Sequence, residues 1–201
     1  MIKIKEKRII YLRSQFEARE EQNGEKILDG LFIPYNQETE LWRGFYEEIA
    51  SGAFTESLRN SDIRVLYNHN SDIVLGREKS HTAVISERSD GVYCKISINQ
   101  SDTEALNIYE RVKRGDISGN SFGFYPTKEI YRDKGNDEIK VVVTEGELVE
   151  LSVCPFPAYE QTNISARKKS YEEYLETNLR AKKSELLERL KKNGVKRNNA
   201  Q

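Results

Sequence analysis

Only two histidines occur in the 201 residues, His69 and His81, so chemistry that needs an imidazole has two places to find one. That scarcity excludes a histidine-rich metal site, and no cluster of Asp, Glu and Cys has convincing ligand spacing. No Walker-type loop or dinucleotide fingerprint is present. Neither a metal nor a cofactor is expected. The remaining chemical signal is Gly119-Asn120-Ser121-Phe122-Gly123, which matches the nucleophile-elbow pattern G-x-S-x-G. The hydrolase fold built on that elbow requires an acid and then a histidine downstream of the serine. No histidine follows Ser121 and only 80 residues remain, so that fold is rejected. A base for Ser121 must come from upstream.

His69 lies in Leu66-Tyr67-Asn68-His69-Asn70, at the end of an apolar run. An imidazole between two asparagines at a strand terminus combines solvent access with hydrogen bonding, and a base needs both. His81, in Glu78-Lys79-Ser80-His81, reads as an exposed surface residue. A serine–histidine pair also needs a group that holds the ring in one tautomer and stabilises the imidazolium. The candidates stand in Glu145-Gly146-Glu147-Leu148-Val149-Glu150-Leu151-Ser152-Val153. Strand alternation puts Leu148, Glu150 and Ser152 on one face and Glu147, Val149, Leu151 and Val153 on the other. Glu150 sits among apolar residues, where a carboxylate needs a partner to offset its desolvation. A salt bridge or an outward-facing strand position accounts for it equally well at this point.

The elements that must position these residues are mostly short strands. Residues 2–12 and 26–35 are rich in β-branched and aromatic types, with Gly30 and Pro34 marking a bend or edge. Residues 46–59 read as a loop and a short helix, interrupted by Gly52. Residues 82–88 and 92–98 flank Ser89-Asp90-Gly91, whose Asp-Gly is a hairpin signal. The clearest helix spans 102–114, with Ser101 as its cap, Glu104 at the capping-box position, Ala105, Leu106, Ile108, Tyr109 and Val112 as its apolar stripe, and Gly115 ending it. Strands are expected over 117–125 and 139–153, joined by a polar turn at 133–137. From 168 to about 192 a narrow stripe of Tyr171, Leu175, Leu179, Leu186 and Leu190, broken by Lys182, predicts a charged helix that docks weakly. The residues after it read as disordered.

Composition bounds the rest. Charged residues are 32% of the chain and hydrophobic ones 37%, enough for one compact domain with an appendage. No stretch approaches the roughly 18 apolar residues of a membrane helix, and the charged start predicts an unexported, membrane-free protein. Cys94 and Cys154 are then expected to be reduced, acting as small apolar residues. The net charge of −1 hides an asymmetry: residues 166–201 hold 11 Lys or Arg against 5 Asp or Glu, leaving 21 against 28 for residues 1–165. The expected organisation is therefore a domain over 1–165 and a basic helical tail, partly disordered, over 166–201. Such a tail on an acidic body offers a nucleic-acid-binding reading, against which the acidic body argues.

Several blocks together resemble the prohead maturation serine proteases of tailed bacteriophages, whose fold is akin to that of the herpesvirus assemblins. They are 47–58 with its Gly-Ala-Phe, Tyr67-Asn68-His69-Asn70 followed by Val74-Leu75-Gly76-Arg77, the Asp-Gly hairpin, 117–124 after the amphipathic helix, and 149–162. The resemblance implies an α+β fold: a β-rich antiparallel, barrel-like, assemblin-like core with flanking helices and the charged C-terminal helix. It implies His69 as general base, Ser121 as nucleophile and Glu150 as the third member, with Glu147 the competitor after a small register shift. It further implies a protease inside the immature capsid in the bacterial cytoplasm. Its substrate would be scaffold or the scaffold-like segment of the major capsid protein, and then itself. It implies self-association as a homodimer or larger. A silent scaffold of the same fold and a nucleic-acid binder are the rival readings.

Overall fold

The computed structural model describes residues 7–13, 15–136 and 138–155, together with 175–177, 179–180, 183–185 and 188. The chain divides into two compact units, Met1–Tyr159 and Glu160–Gln201. In the second unit the described residues are helical, with Leu175 and Leu179 exposed. Tyr171, Lys182, Leu186 and Leu190 of the expected stripe, and the expected disordered end, lie outside the described residues.

The first unit holds two sheets. The smaller runs β2 (Gln15–Glu20), β3 (Lys26–Pro34), β9 (Gly91–Ser97), β8 (Ala83–Arg88), all antiparallel. The larger runs β1 (Arg8–Arg13), β10 (Gly119–Gly135), β11 (Glu138–Cys154), β5 (Phe45–Ile49), β4 (Glu38–Trp42). At the other end of β11, β6 (Arg64–Tyr67) pairs beside it and carries β7 (Asn70–Arg77). Two of these pairings, β11 with β5 and β11 with β6, are parallel. The architecture is thus strand-rich α+β, with two departures from the expectation of an antiparallel, barrel-like core. The larger sheet is mixed, and among the described residues neither sheet closes. The parallel pairings follow from the length of β11: its 17 residues run past the end of β5 and give β6 a second docking site on the same edge.

Local chemistry explains the helices. Helix α2 (Thr103–Arg114) is capped by Asp102 rather than Ser101: the Asp102 carboxylate accepts from the Glu104 and Ala105 N–H groups at 2.9 and 3.2 Å. Gly115 ends it at φ 89°, a left-handed value that glycine adopts without steric cost. Its stripe is buried at Ala105, Ile108, Tyr109 and Val112. Residues 46–59 split differently from the expectation, into β5 and the short α1 (Thr55–Asn60). Strand β5 alternates buried and half-buried residues because only one of its faces meets the core.

Both sheets supply the core, with Phe32, Ile33 and Ile96 from the smaller and Phe122, Phe124, Leu151 and Val153 from the larger. Phe54, just ahead of α1, stands edge-on to Phe122 and Phe124 at centroid separations of 6.1 and 5.5 Å. Cys94 and Cys154 are free and buried, and burial pushes the Cys94 thiol up. No described helix is long and apolar enough to cross a membrane.

Candidate functional site

His69 owes its position to a two-residue hairpin turn. Tyr67 pairs with Asn70 across the end of β6 and β7, and the two central residues, Asn68 and His69, have φ of 49° and 60°. Two consecutive positive φ values match the right-handed twist of a hairpin, and Asn and His are among the non-glycine residues that adopt them most readily. The turn is tied to β11: Asn68 N–H donates to the Val153 carbonyl at 2.9 Å, and His69 N–H donates to Ser152 Oγ at 3.2 Å.

Glu150 reaches the same place by a β-bulge. Gly123 pairs with Glu150, but the next residue, Phe124, pairs with Leu148, so Val149 is the extra residue. The expected alternation therefore breaks at Val149. Leu148 joins the core, while Glu150 and Ser152 stay on the face shared with Ser121 and Gly123. Glu147 is exposed and opposite Tyr125, whereas Glu150 is 2% exposed.

The geometry around the imidazole is specific. His69 Nδ1 lies 2.7 Å from Glu150 Oε1. Ser152 Oγ donates to Glu150 Oε2 at 2.7 Å and stands 3.4 Å from Nδ1. Lys7 Nζ donates to Glu150 Oε1 at 3.0 Å. Burial by itself raises the Glu150 carboxyl; the hydrogen bond and charge of His69, then Lys7 and Ser152, outweigh it and hold Glu150 below the usual carboxylate range. The stability this lowered carboxyl contributes is present above its unfolded value and is lost as pH falls through the folded one. An ionised Glu150 can only accept, so Nδ1 is the donor of this bond, and in the neutral ring the lone pair then lies on Nε2. Nε2 is buried and has no hydrogen-bond partner among the described residues.

Ser121 is fully buried, and its Oγ donates to the Ile10 carbonyl at 2.7 Å rather than to His69. In register, Tyr11, Ser121 and Ser152 form a row across β1, β10 and β11. His69 touches both ends of that row: its ring stands edge-on to Tyr11 at a centroid separation of 5.1 Å and contacts Ser152 as above. The imidazole is thereby bracketed by the two neighbours of Ser121. His81 is exposed on a separate turn.

Three residues at this site were not singled out in the sequence. Ser152 could have been, since it stands two positions from Glu150 in a strand. Lys7 and Tyr11 carry no local signal. Among the described residues, no three His, Cys, Asp or Glu side chains converge as a metal site would require.

Gly123 has a defined role here. A Cβ added at this position would stand 2.5 Å from Glu150 Oε1 and collide with the Lys7 side chain. Lys7 has room to swing away, but Glu150 is held by three donors and would shift together with the imidazole. If the Glu150–His69 pair serves as a base, Gly123→Ala should lower kcat by about 10²-fold, the order of loss that follows a misplacement near 1 Å in a reacting group. A kcat matching that of wild type would show that the carboxylate position is not critical.

A model of the caudovirus prohead serine protease family matches residues 14–177. The prohead protease of Enterobacteria phage HK97 is 29% identical over 123 residues, covering 60% of this chain and 52% of that protein. The chain thus spans about half the length of this curated relative. Among solved structures, the bacteriophage T4 capsid assembly protease, gp21, aligns with 74% of this chain and 97% of its own at 10% identity and a TM-score of 0.49. The family match takes in β6, β10 and β11 with the turn that carries His69, and with it the chain belongs to the caudovirus prohead serine proteases.

Proposed function

We propose that the protein is a serine endopeptidase of phage head maturation in which Ser121 is the nucleophile, His69 the general base and Glu150 the group that orients the imidazole. The observation that carries this reading is the Glu150–His69 hydrogen bond at 2.7 Å, which leaves Nε2 as a free base beside the Ser121 row. In the first step Ser121 Oγ attacks the scissile carbonyl carbon while His69 Nε2 takes the hydroxyl proton. The tetrahedral oxyanion collapses, the C–N bond breaks, and the same proton passes to the leaving amine. Water then repeats the sequence on the acyl-enzyme, with His69 again the base. Glu150 keeps its negative charge throughout and stabilises the imidazolium. Ser152 positions both partners through its bonds to Glu150 and the His69 N–H.

Family membership supports the substrate class: scaffold or the scaffold-like segment of the major capsid protein, digested inside the prohead in the host cytoplasm. The basic tail, 166–201, is read as a separate segment that recruits the enzyme to the capsid interior and is removed by self-cleavage. Self-association and an assemblin-like arrangement of the core belong to the same reading.

Co-expression with the cognate capsid or scaffold protein, followed by intact-mass measurement, tests it. Shortened products are expected with the wild-type chain and none with Ser121→Ala. Full-length partner in both cases would favour a silent scaffold of the same fold.

A further inference from the structure

Strand β1 and Lys7, the residue just before it, together touch every member of the proposed triad. The Ile10 carbonyl accepts the Ser121 hydroxyl proton at 2.7 Å, Tyr11 stands edge-on to His69, and Lys7 binds the Glu150 oxygen that also faces His69. Alternation along the strand makes this possible: Lys7 and Tyr11 point to the site, while Arg8 and Ile10 point away from it. Ile10 is 5% exposed and lies in the core, and Arg8 pairs with Glu47 and Glu129.

Two of these contacts oppose catalysis. A hydroxyl that donates to a backbone carbonyl does not donate to a base. A lysine ammonium on Glu150 competes with the imidazolium for the same carboxylate oxygen and disfavours the charge that His69 acquires during attack. The strand also fills the edge of the larger sheet, pairing residue by residue with β10 from Gly119 to Phe124. Without it, the main-chain N–H and C=O groups flanking Ser121 would form an open edge of the kind that extended peptides join by strand addition. The family match begins at residue 14, just past β1, so this strand lies outside the segment that the family model describes.

We propose that β1 is an internal occupant of the edge on which an extended peptide substrate pairs, and that the enzyme is latent until β1 leaves. The inference rests on the assignment of Ser121, His69 and Glu150 made above. Its buried anchors, Arg8 and Ile10, keep the strand seated in the absence of substrate. Activation is then a competition between β1 and an incoming strand of high local concentration, as a capsid interior supplies.

A fluorophosphonate probe tests this without knowledge of the cleavage site. It labels an activated serine as an Oγ–P bond forms, the P–F bond breaks and the hydroxyl proton passes to His69. The full-length wild type, Lys7→Met/Tyr11→Ala and Ser121→Ala are compared, with circular dichroism to confirm folding. Loosening β1 at two contacts is expected to raise the labelling rate about tenfold, as a shift in the open population does. Ser121→Ala is expected to take no label. Equal labelling of wild type and the loosened variant would overturn the latency and leave the protease reading standing. Folded proteins that take no label, or label that persists in Ser121→Ala, would instead overturn the nucleophile assignment, and the latency with it. Should the double variant fail to fold, Lys7→Met alone decides the matter, since that side chain is one-third exposed and lies outside the core.

Discussion

Ser121→Ala is expected to lower turnover of a capsid-derived peptide by about 10⁶-fold, and His69→Ala by a similar factor, as in other enzymes where a serine and a histidine act as one unit. The double variant should lose little more than either single one, because each removes the same proton transfer. Glu150→Gln should cost about 10⁴-fold, the loss seen when the orienting acid of such a site becomes an amide and the imidazole is held in the wrong tautomer. An amide nitrogen facing Nδ1 would favour the tautomer with the proton on Nε2, which can no longer act as a base. Glu147→Gln is the control, since Glu147 is exposed and opposite Tyr125. The measurement is kcat for peptide hydrolysis with all variants verified as folded. Equal and slight losses from the two glutamine variants would mean that His69 takes its orientation elsewhere.

The second large effect concerns stability. Arg8 Nη1 binds Glu47 at 2.8 Å and Glu129 at 2.5 Å, and Arg8 is 6% exposed. Burial works against the charged guanidinium, but the two carboxylates outweigh it and raise Arg8 above its usual value. Arg8→Met takes the cation away from both carboxylates at once, and breaking a buried pair from one side costs about 3–5 kcal/mol. The expected result is a lower urea midpoint with an unchanged slope. Part of the loss should disappear in Arg8→Met/Glu129→Met, which removes one of the two carboxylates as well. An unshifted midpoint for Arg8→Met would show that β1 is not anchored through this cluster.

Some of this site was legible in the linear chain because its signals are local. The Asp-Gly turn between β8 and β9, the stripe and terminal glycine of α2, and the placing of His69 at a strand end between two asparagines all act within a few residues of themselves. Ser121 and His69 stand out as candidates in a chain with two histidines and one G-x-S-x-G, and their roles are implied by the family resemblance. The cap of α2 is Asp102, one residue past the expected Ser101, because both are competent caps and which one is used depends on where the first turn closes. The strands β2, β4 and β5 carry no clear strand signal in the sequence because charged residues dilute their alternation.

Sequence alone offered the candidates: a hydroxyl at Ser121, an imidazole at His69 and a short stretch of carboxylates, together with strand-rich elements to carry them. Tertiary structure decided which carboxylate faces the ring, since a single extra residue at Val149 separates Leu148 from Glu150 and Ser152. It also decided that β1 lies beside β10 at the edge of the sheet that carries the site, with a Lys7–Glu150 contact between residues 143 positions apart. Local propensity is carried by neighbours in the chain, whereas register, bulges and the burial of a charge are set by partners that meet only after the sheets have assembled.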